Sequence, residues 1–138
     1  MITDIPTLFI FVKDLQRSLA FYRDVIGLPV ARAGEEDAHF EVGGFHFIIH
    51  QDLSPEEFHE WRVNPEPQER GWGVYLTFQT DDVDAEYARL KEKQLDFICE
   101  PRTMSWGTRM FLLRDPDGYI LEISRSHENK TLESDVFG

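Results

Sequence analysis

The sequence predicts an α+β fold in which a strand–helix–three-strand unit occurs twice. Three observations carry this. Leu15, Leu19, Tyr22 and Ile26 recur at helical spacing, and Val83, Tyr87 and Leu90 repeat the first three of them 68 positions later. Each stripe follows a β-like run and an aspartate suited to capping a helix, Asp14 or Asp82. Each unit also closes on a glycine-bearing turn between two more β-like runs, Gly43-Gly44 in one and Asp115-Pro116-Asp117-Gly118 in the other.

The elements follow in chain order. Residues 7–12 and 74–80 are rich in β-branched and aromatic side chains and read as the first strand of each unit. After the first helix come short β candidates at 29–32, 39–42 and 45–50, and after the second at 96–99, 108–114 and 119–124. Gly44 and Gly118 correspond at an offset of 74. The second unit has therefore gained six residues over the helix offset of 68, expected in a loop around 101–107. Between the units, Ser54-Pro55-Glu56-Glu57 has the form of a capping box with proline at the first helical position. It predicts a short helix to about Trp61, then an irregular linker with Pro65 and Pro67. The tail, 126–138, is polar and expected to be mobile.

Composition narrows the function. With 41% hydrophobic and 29% charged residues, the chain has the profile of a soluble globular protein. The net charge of −12 argues against nucleic acid and anionic membrane surfaces, which select basic faces, and is compatible with a cationic ligand. No apolar run is long enough to span a bilayer, and the first residues lack the basic start and apolar stretch of a signal peptide, so a cytoplasmic address is expected. Cys99 is the single cysteine, which excludes an internal disulfide, and it reads as a small buried hydrophobe.

Taken together, Phe11-Val12-Lys13-Asp14-Leu15, Ser18-Leu19-Ala20-Phe21-Tyr22, Ile26-Gly27-Leu28, Thr80-Asp81-Asp82-Val83-Asp84-Ala85, Ser105-Trp106-Gly107 and the run from Asp115 to Ile123 cover nearly the whole chain. They resemble the vicinal oxygen chelate superfamily: glyoxalase I, extradiol dioxygenases, fosfomycin-resistance enzymes and bleomycin-resistance proteins. The resemblance implies one domain of two β-α-β-β-β modules forming an incomplete barrel around a cleft. Module one would span 1–52, the linker with its short helix 53–71, module two 72–125 and the tail 126–138. It also implies a homodimer.

Metal-using members of that superfamily place ligands on the first and last strand of each module. The repeat puts those points at Thr7, Ile48, Tyr75 and Glu122, of which Glu122 alone is a standard ligand type. No cofactor is therefore expected. The remaining metal arrangement would combine His46 and His50, which share a strand face with Ile48, with Glu122. His39 and His59 read as surface residues. The cavity face should present Thr7, Phe9, Phe11, His46, Ile48, His50, Tyr75, Thr77, Gln79, Ile120, Glu122 and Ser124, a mainly apolar lining suited to a small molecule. The plainer alternative is that Phe9 and Phe11 fill the core between the sheets.

A buried Glu122 must be hydrogen-bonded, paired or protonated; Tyr75, Thr7 and Arg109 are the groups expected to serve it. It is a ligand anchor, a general base or a relic carboxylate in a polar network. Trp106 presents an indole face for stacking or cation–π contact, with Trp61 and Trp72 extending that surface or packing in a subunit interface. The pattern is closest to metal-free, bleomycin-resistance-like members. That implies a metal-independent protein that sequesters a cationic or aromatic compound. The alternative is a metal-dependent lyase or oxidoreductase of the glyoxalase/dioxygenase type using Glu122. A regulatory interaction domain is the third class, with nothing in the sequence to favour it.

Overall fold

The computed structural model describes residues 1–61, 70–71 and 73–125. The chain divides into two compact units, Met1–Glu69 and Arg70–Gly138. Each is an open four-stranded mixed sheet with its helix on one face, and the fold is α+β.

In the first unit, β1 (Thr7–Val12) leads into α1 (Leu15–Ala20), which continues as a π-helical segment (Phe21–Ile26). The strands β2 (Val30–Ala33), β3 (Asp37–Val42) and β4 (Phe45–Gln51) complete the sheet in the order β1-β4-β3-β2. β1 lies parallel to β4 and the other pairings are antiparallel. Asp14 caps α1 by accepting from the Arg17 N–H, as its side chain suits it to do. The π-helical segment ends at Gly27, in the left-handed region at φ 91°. The apolar stripe packs as the spacing predicts: Leu15, Leu19 and Tyr22 are buried against Ile10, Val12, Phe40, Phe47 and Ile49. Tyr22 meets Phe47 edge-on at 5.0 Å between ring centroids. The Gly43-Gly44 hairpin has positive φ at both residues, the geometry that leaves Val42 opposite Phe45.

The capping box is present. Ser54 Oγ accepts from the Glu57 N–H at 3.3 Å, and a Glu57 carboxylate oxygen accepts from the Ser54 N–H at 2.8 Å. It starts α2 (Pro55–Trp61).

The second unit repeats the plan with β5 (Tyr75–Gln79), α3 (Val83–Lys91), β6 (Asp96–Thr103), β7 (Arg109–Arg114) and β8 (Ile120–Arg125), in the order β5-β8-β7-β6. Asp82 caps α3 through the Ala85 N–H. Val83 and Leu90 are buried with Leu76, Phe111, Leu113, Leu121 and Ile123. The repeat is visible in the pairing itself: Thr7 stands opposite His46, and Tyr75, 68 residues on, stands opposite Ile120, 74 residues on from His46. The extra residues of the second unit are not a plain loop. β6 is an eight-residue strand where β2 has four, and it runs through Pro101 to Thr103. β6 is an edge strand whose register shifts between Cys99 and Arg102, the setting in which a sheet tolerates proline.

Among the described residues no helix is long and apolar enough to cross a membrane. Trp72, the prolines at 65 and 67 and the tail 126–138 lie outside the described residues, as do the side chains of His59 and Trp61.

Candidate functional site

The sheet of the first unit has two unlike faces. Ile10, Val12, Ala38, Phe40, Phe47 and Ile49 turn toward α1 and are buried. Strand alternation puts Thr7, Phe9 and Phe11 of β1, His46, Ile48 and His50 of β4, and Asp37, His39 and Glu41 of β3 on the other face. The register ties them side by side: Phe9 to Ile48 and Phe11 to His50 on one flank, His39 to Ile48 and Asp37 to His50 on the other. Thr7 is exposed and Phe9 is 38% exposed, while Phe11, His46 and Ile48 are half-buried. Phe9 and Phe11 form the apolar part of the face that lies away from α1.

His50 is the most enclosed group there, 7% exposed. Its ring stacks on Phe9 at 5.7 Å and meets Phe11 edge-on at 5.8 Å. Its Nδ1 lies 2.6 Å from the Gln51 carbonyl oxygen. A carbonyl only accepts, so Nδ1 carries the proton of that bond. Glu36 and Glu57 complete a cluster around His50 in which one ligand-type atom from each residue lies within 4.8 Å of the others. Hydrogen bonds from Ser54 hold the Glu57 carboxyl below its usual range; burial opposes them, and His50 and Glu36 add to the lowering.

The expectation that His46 and His50 jointly hold a metal is corrected by strand geometry. Four residues of β-strand separate them by about 13 Å, and the groups gathered at His50 are Glu36 and Glu57. His39, expected on the surface, is half-buried on the site face. Its Nε2 stands 2.8 Å from Arg32 Nη2, which only donates, and 3.0 Å from Asp37 Oδ2, which only accepts, so it serves one of them at a time. Burial raises the Asp37 carboxyl, but His39 and Arg32 outweigh it and the net direction is downward.

In the second unit, Tyr75, Thr77, Gln79, Ile120, Glu122 and Ser124 share the face away from α3. Tyr75 is 54% exposed and Glu122 half-buried. Glu122 accepts from the Thr77 hydroxyl at 3.0 Å, its partner across the parallel pair. Thr77, not Tyr75, is the hydroxyl that the strand register supplies. The expected service of Arg109 to Glu122 is also corrected. Arg109 lies on the α3 side of β7 and forms a two-point ion pair with Asp84, 2.8 Å at each contact, which holds the Asp84 carboxyl below its usual range. Glu122 stands opposite Leu112, whose side chain points the other way from Arg109's along β7. Trp106 occupies the β6–β7 turn and is 64% exposed.

Residues 4–123 match the family described as the Glyoxalase/Bleomycin resistance protein/Dioxygenase superfamily, and the chain belongs to that superfamily. Similar curated proteins include a probable lactoylglutathione lyase of Synechocystis, 27% identical over 86% of this chain and 92% of the relative. A metallothiol transferase, FosB, of Shouchella clausii is 23% identical over 89% and 80%. Among solved structures, a protein of unknown function from Agrobacterium tumefaciens superposes with a TM-score of 0.76 at 30% identity, covering 91% of this chain and 96% of that one. A glyoxalase/bleomycin resistance protein/dioxygenase from Nocardioides shares the fold, with a TM-score of 0.75 at 21% identity over 96% and 89%. Relatives named for such different activities place the chain in the superfamily and single out none of its branches.

The residues that the resemblance assigns to metal positions do not make a standard ligand set. Thr7 offers an exposed hydroxyl, Ile48 an alkyl group, Tyr75 a phenol and Glu122 a carboxylate already engaged by Thr77. Catalytic sites need about three His, Asp, Glu or Cys ligands, and one is present.

Proposed function

We propose that the chain is a small-molecule-binding member of its superfamily that holds its ligand without a metal at the superfamily's position. The observation that carries this reading is the face of the first sheet away from α1, where Phe9, Phe11 and Ile48 lie among His39, His46, Asp37 and Glu41. An apolar, aromatic floor with a few convergent polar groups is the usual make-up of a ligand site. The acidic side chains there and the net charge of −12 favour a planar cationic or aromatic compound over an anion. In the second unit, Trp106, 64% exposed, presents an indole face of its own for stacking.

The names of the relatives favour a second reading, an enzyme of the lyase or transferase type in which Glu122, held by Thr77, is the base. One experiment separates the two. Calorimetric titration with a panel of planar cationic compounds should show saturable binding that weakens in Phe9→Ala, with the compound recovered unchanged. Turnover of any compound, abolished in Glu122→Gln, would replace the binding reading with the enzymatic one.

A further inference from the structure

The cluster of Glu36, His50 and Glu57 has no part in that reading. Each of its members is fixed by a different element. His50 comes from the last turn-ward end of β4, buried and flanked by Phe9 and Phe11. Glu57 is the third residue of α2, oriented by its reciprocal bonds with Ser54. Glu36 immediately precedes β3, and its carbonyl accepts from the Gln51 N–H at 2.7 Å, which anchors that backbone beside His50. Glu36 itself is exposed, so the cluster opens to solvent on one side.

The chemistry of the cluster points to a cation. The His50 Nδ1 is bonded to a backbone carbonyl, the support found behind most metal-bound imidazoles. One ligand-type atom from each of Glu36, His50 and Glu57 lies within 4.8 Å of the others. One imidazole and two carboxylates would neutralise a divalent ion and suit first-row metals of the zinc or manganese kind. Ligand atoms about 2.1 Å from zinc lie about 3.4 Å apart in a tetrahedron. The three ligand-type atoms lie within 4.8 Å of one another, and Glu36, the exposed member, has room to move toward the other two.

We propose that Glu36, His50 and Glu57 form a divalent-cation site of the first unit, separate from the superfamily's ligand positions and open to solvent at one coordination face. The cation joins α2 and the β2–β3 turn to the end of the sheet.

The test is equilibrium dialysis of chelator-stripped protein against zinc and manganese, with bound metal measured by mass spectrometry. The wild type should take up one ion per chain. Glu36→Gln and Glu57→Gln should each weaken uptake by at least about tenfold; glutamine at position 57 keeps a capping partner for Ser54, and far-UV circular dichroism checks the fold. Glu122→Gln should retain the ion. The proposal is overturned by uptake no higher than trace in the wild type, by uptake unchanged in both cluster variants, or by uptake lost in Glu122→Gln. A compound bound by stripped protein bears on the preceding proposal and leaves these outcomes unaffected.

Discussion

Replacing Gln51 by alanine tests how the site strand is tied to its helix. The Gln51 side-chain amide spans from the end of β4 to the start of α1: its Oε1 accepts from the Leu15 N–H at 2.8 Å and its Nε2 donates to the Lys13 carbonyl at 2.6 Å. The first four N–H groups of a helix have no partner within it. Asp14 serves Arg17, and Gln51 serves Leu15 from a residue 36 positions away. The second unit repeats half of this device, since Arg125 donates to the Asp81 carbonyl at 2.8 Å from the corresponding place. The part-buried bond to Leu15 contributes about 1 kcal/mol and the more exposed one about half of that. Gln51→Ala should therefore cost about 1.5 kcal/mol, a fall in Tm of about 5 °C for a chain of this length. Gln51→Glu keeps the acceptor for Leu15 and puts a negative charge at the helix start, where the dipole favours it, so its loss should be smaller. Thermal melts followed by circular dichroism measure both. A Gln51→Ala midpoint within about 1 °C of wild type, or a Gln51→Glu protein less stable than Gln51→Ala, would refute the reasoning.

Three further predictions follow from particular contacts. Asp37 has its carboxyl lowered on balance by His39 and Arg32 against the opposing effect of burial. Its contribution is therefore complete above the usual carboxylate range near 4 and lost as pH falls through the lower folded-state value. The Tm difference between wild type and Asp37→Asn should be constant near neutral pH and shrink in acid. Gly71 sits at φ 68°, and a Cβ added there would come within 2.5 Å of the Tyr119 ring and 3.0 Å of its Cα. Gly71→Ala should lower the urea midpoint by an amount equal to about 1–3 kcal/mol, whereas Gly73→Ala, at φ 82° with nothing within 4 Å, should cost less. Arg109→Ala removes an ion pair on the α3 side of its sheet, so compound binding measured by calorimetry should match wild type.

Much of the fold was legible because the determinants are local and repeated. The offset of 68 between helical stripes reappears in the strand register, and the Ser54–Glu57 capping box forms as its spacing requires. The two-glycine turn also contained more than was read from it. A two-residue hairpin pairs Val42 with Phe45, which carries His39 opposite Ile48 and Asp37 opposite His50. His39 and Asp37 could have been assigned to the site face from that turn alone. Arg109 could not be placed without the register of β7, which sets it opposite Arg125 and Leu112 opposite Glu122 and so turns it to the other face. The strand at 96–103 was cut short at Cys99 because proline reads as a breaker, and only the sheet order shows that β6 is an edge. The Glu36–His50–Glu57 cluster had no sequence signal. It joins a turn, a strand and a short helix, and Glu57 was already explained by its cap. Its assembly depends on how α2 docks beside β4, which no local pattern encodes.

Under the proposed function, ligand binding proceeds on the aromatic face of the first sheet without a metal at the superfamily's position. The most direct measurement is the affinity of a bound compound for wild-type protein before and after exhaustive chelation, by calorimetry on the same preparation. The two affinities should agree within about threefold, less than 1 kcal/mol. Binding that vanishes on chelation, returns with added divalent cation and is absent in Glu122→Gln would contradict that reading.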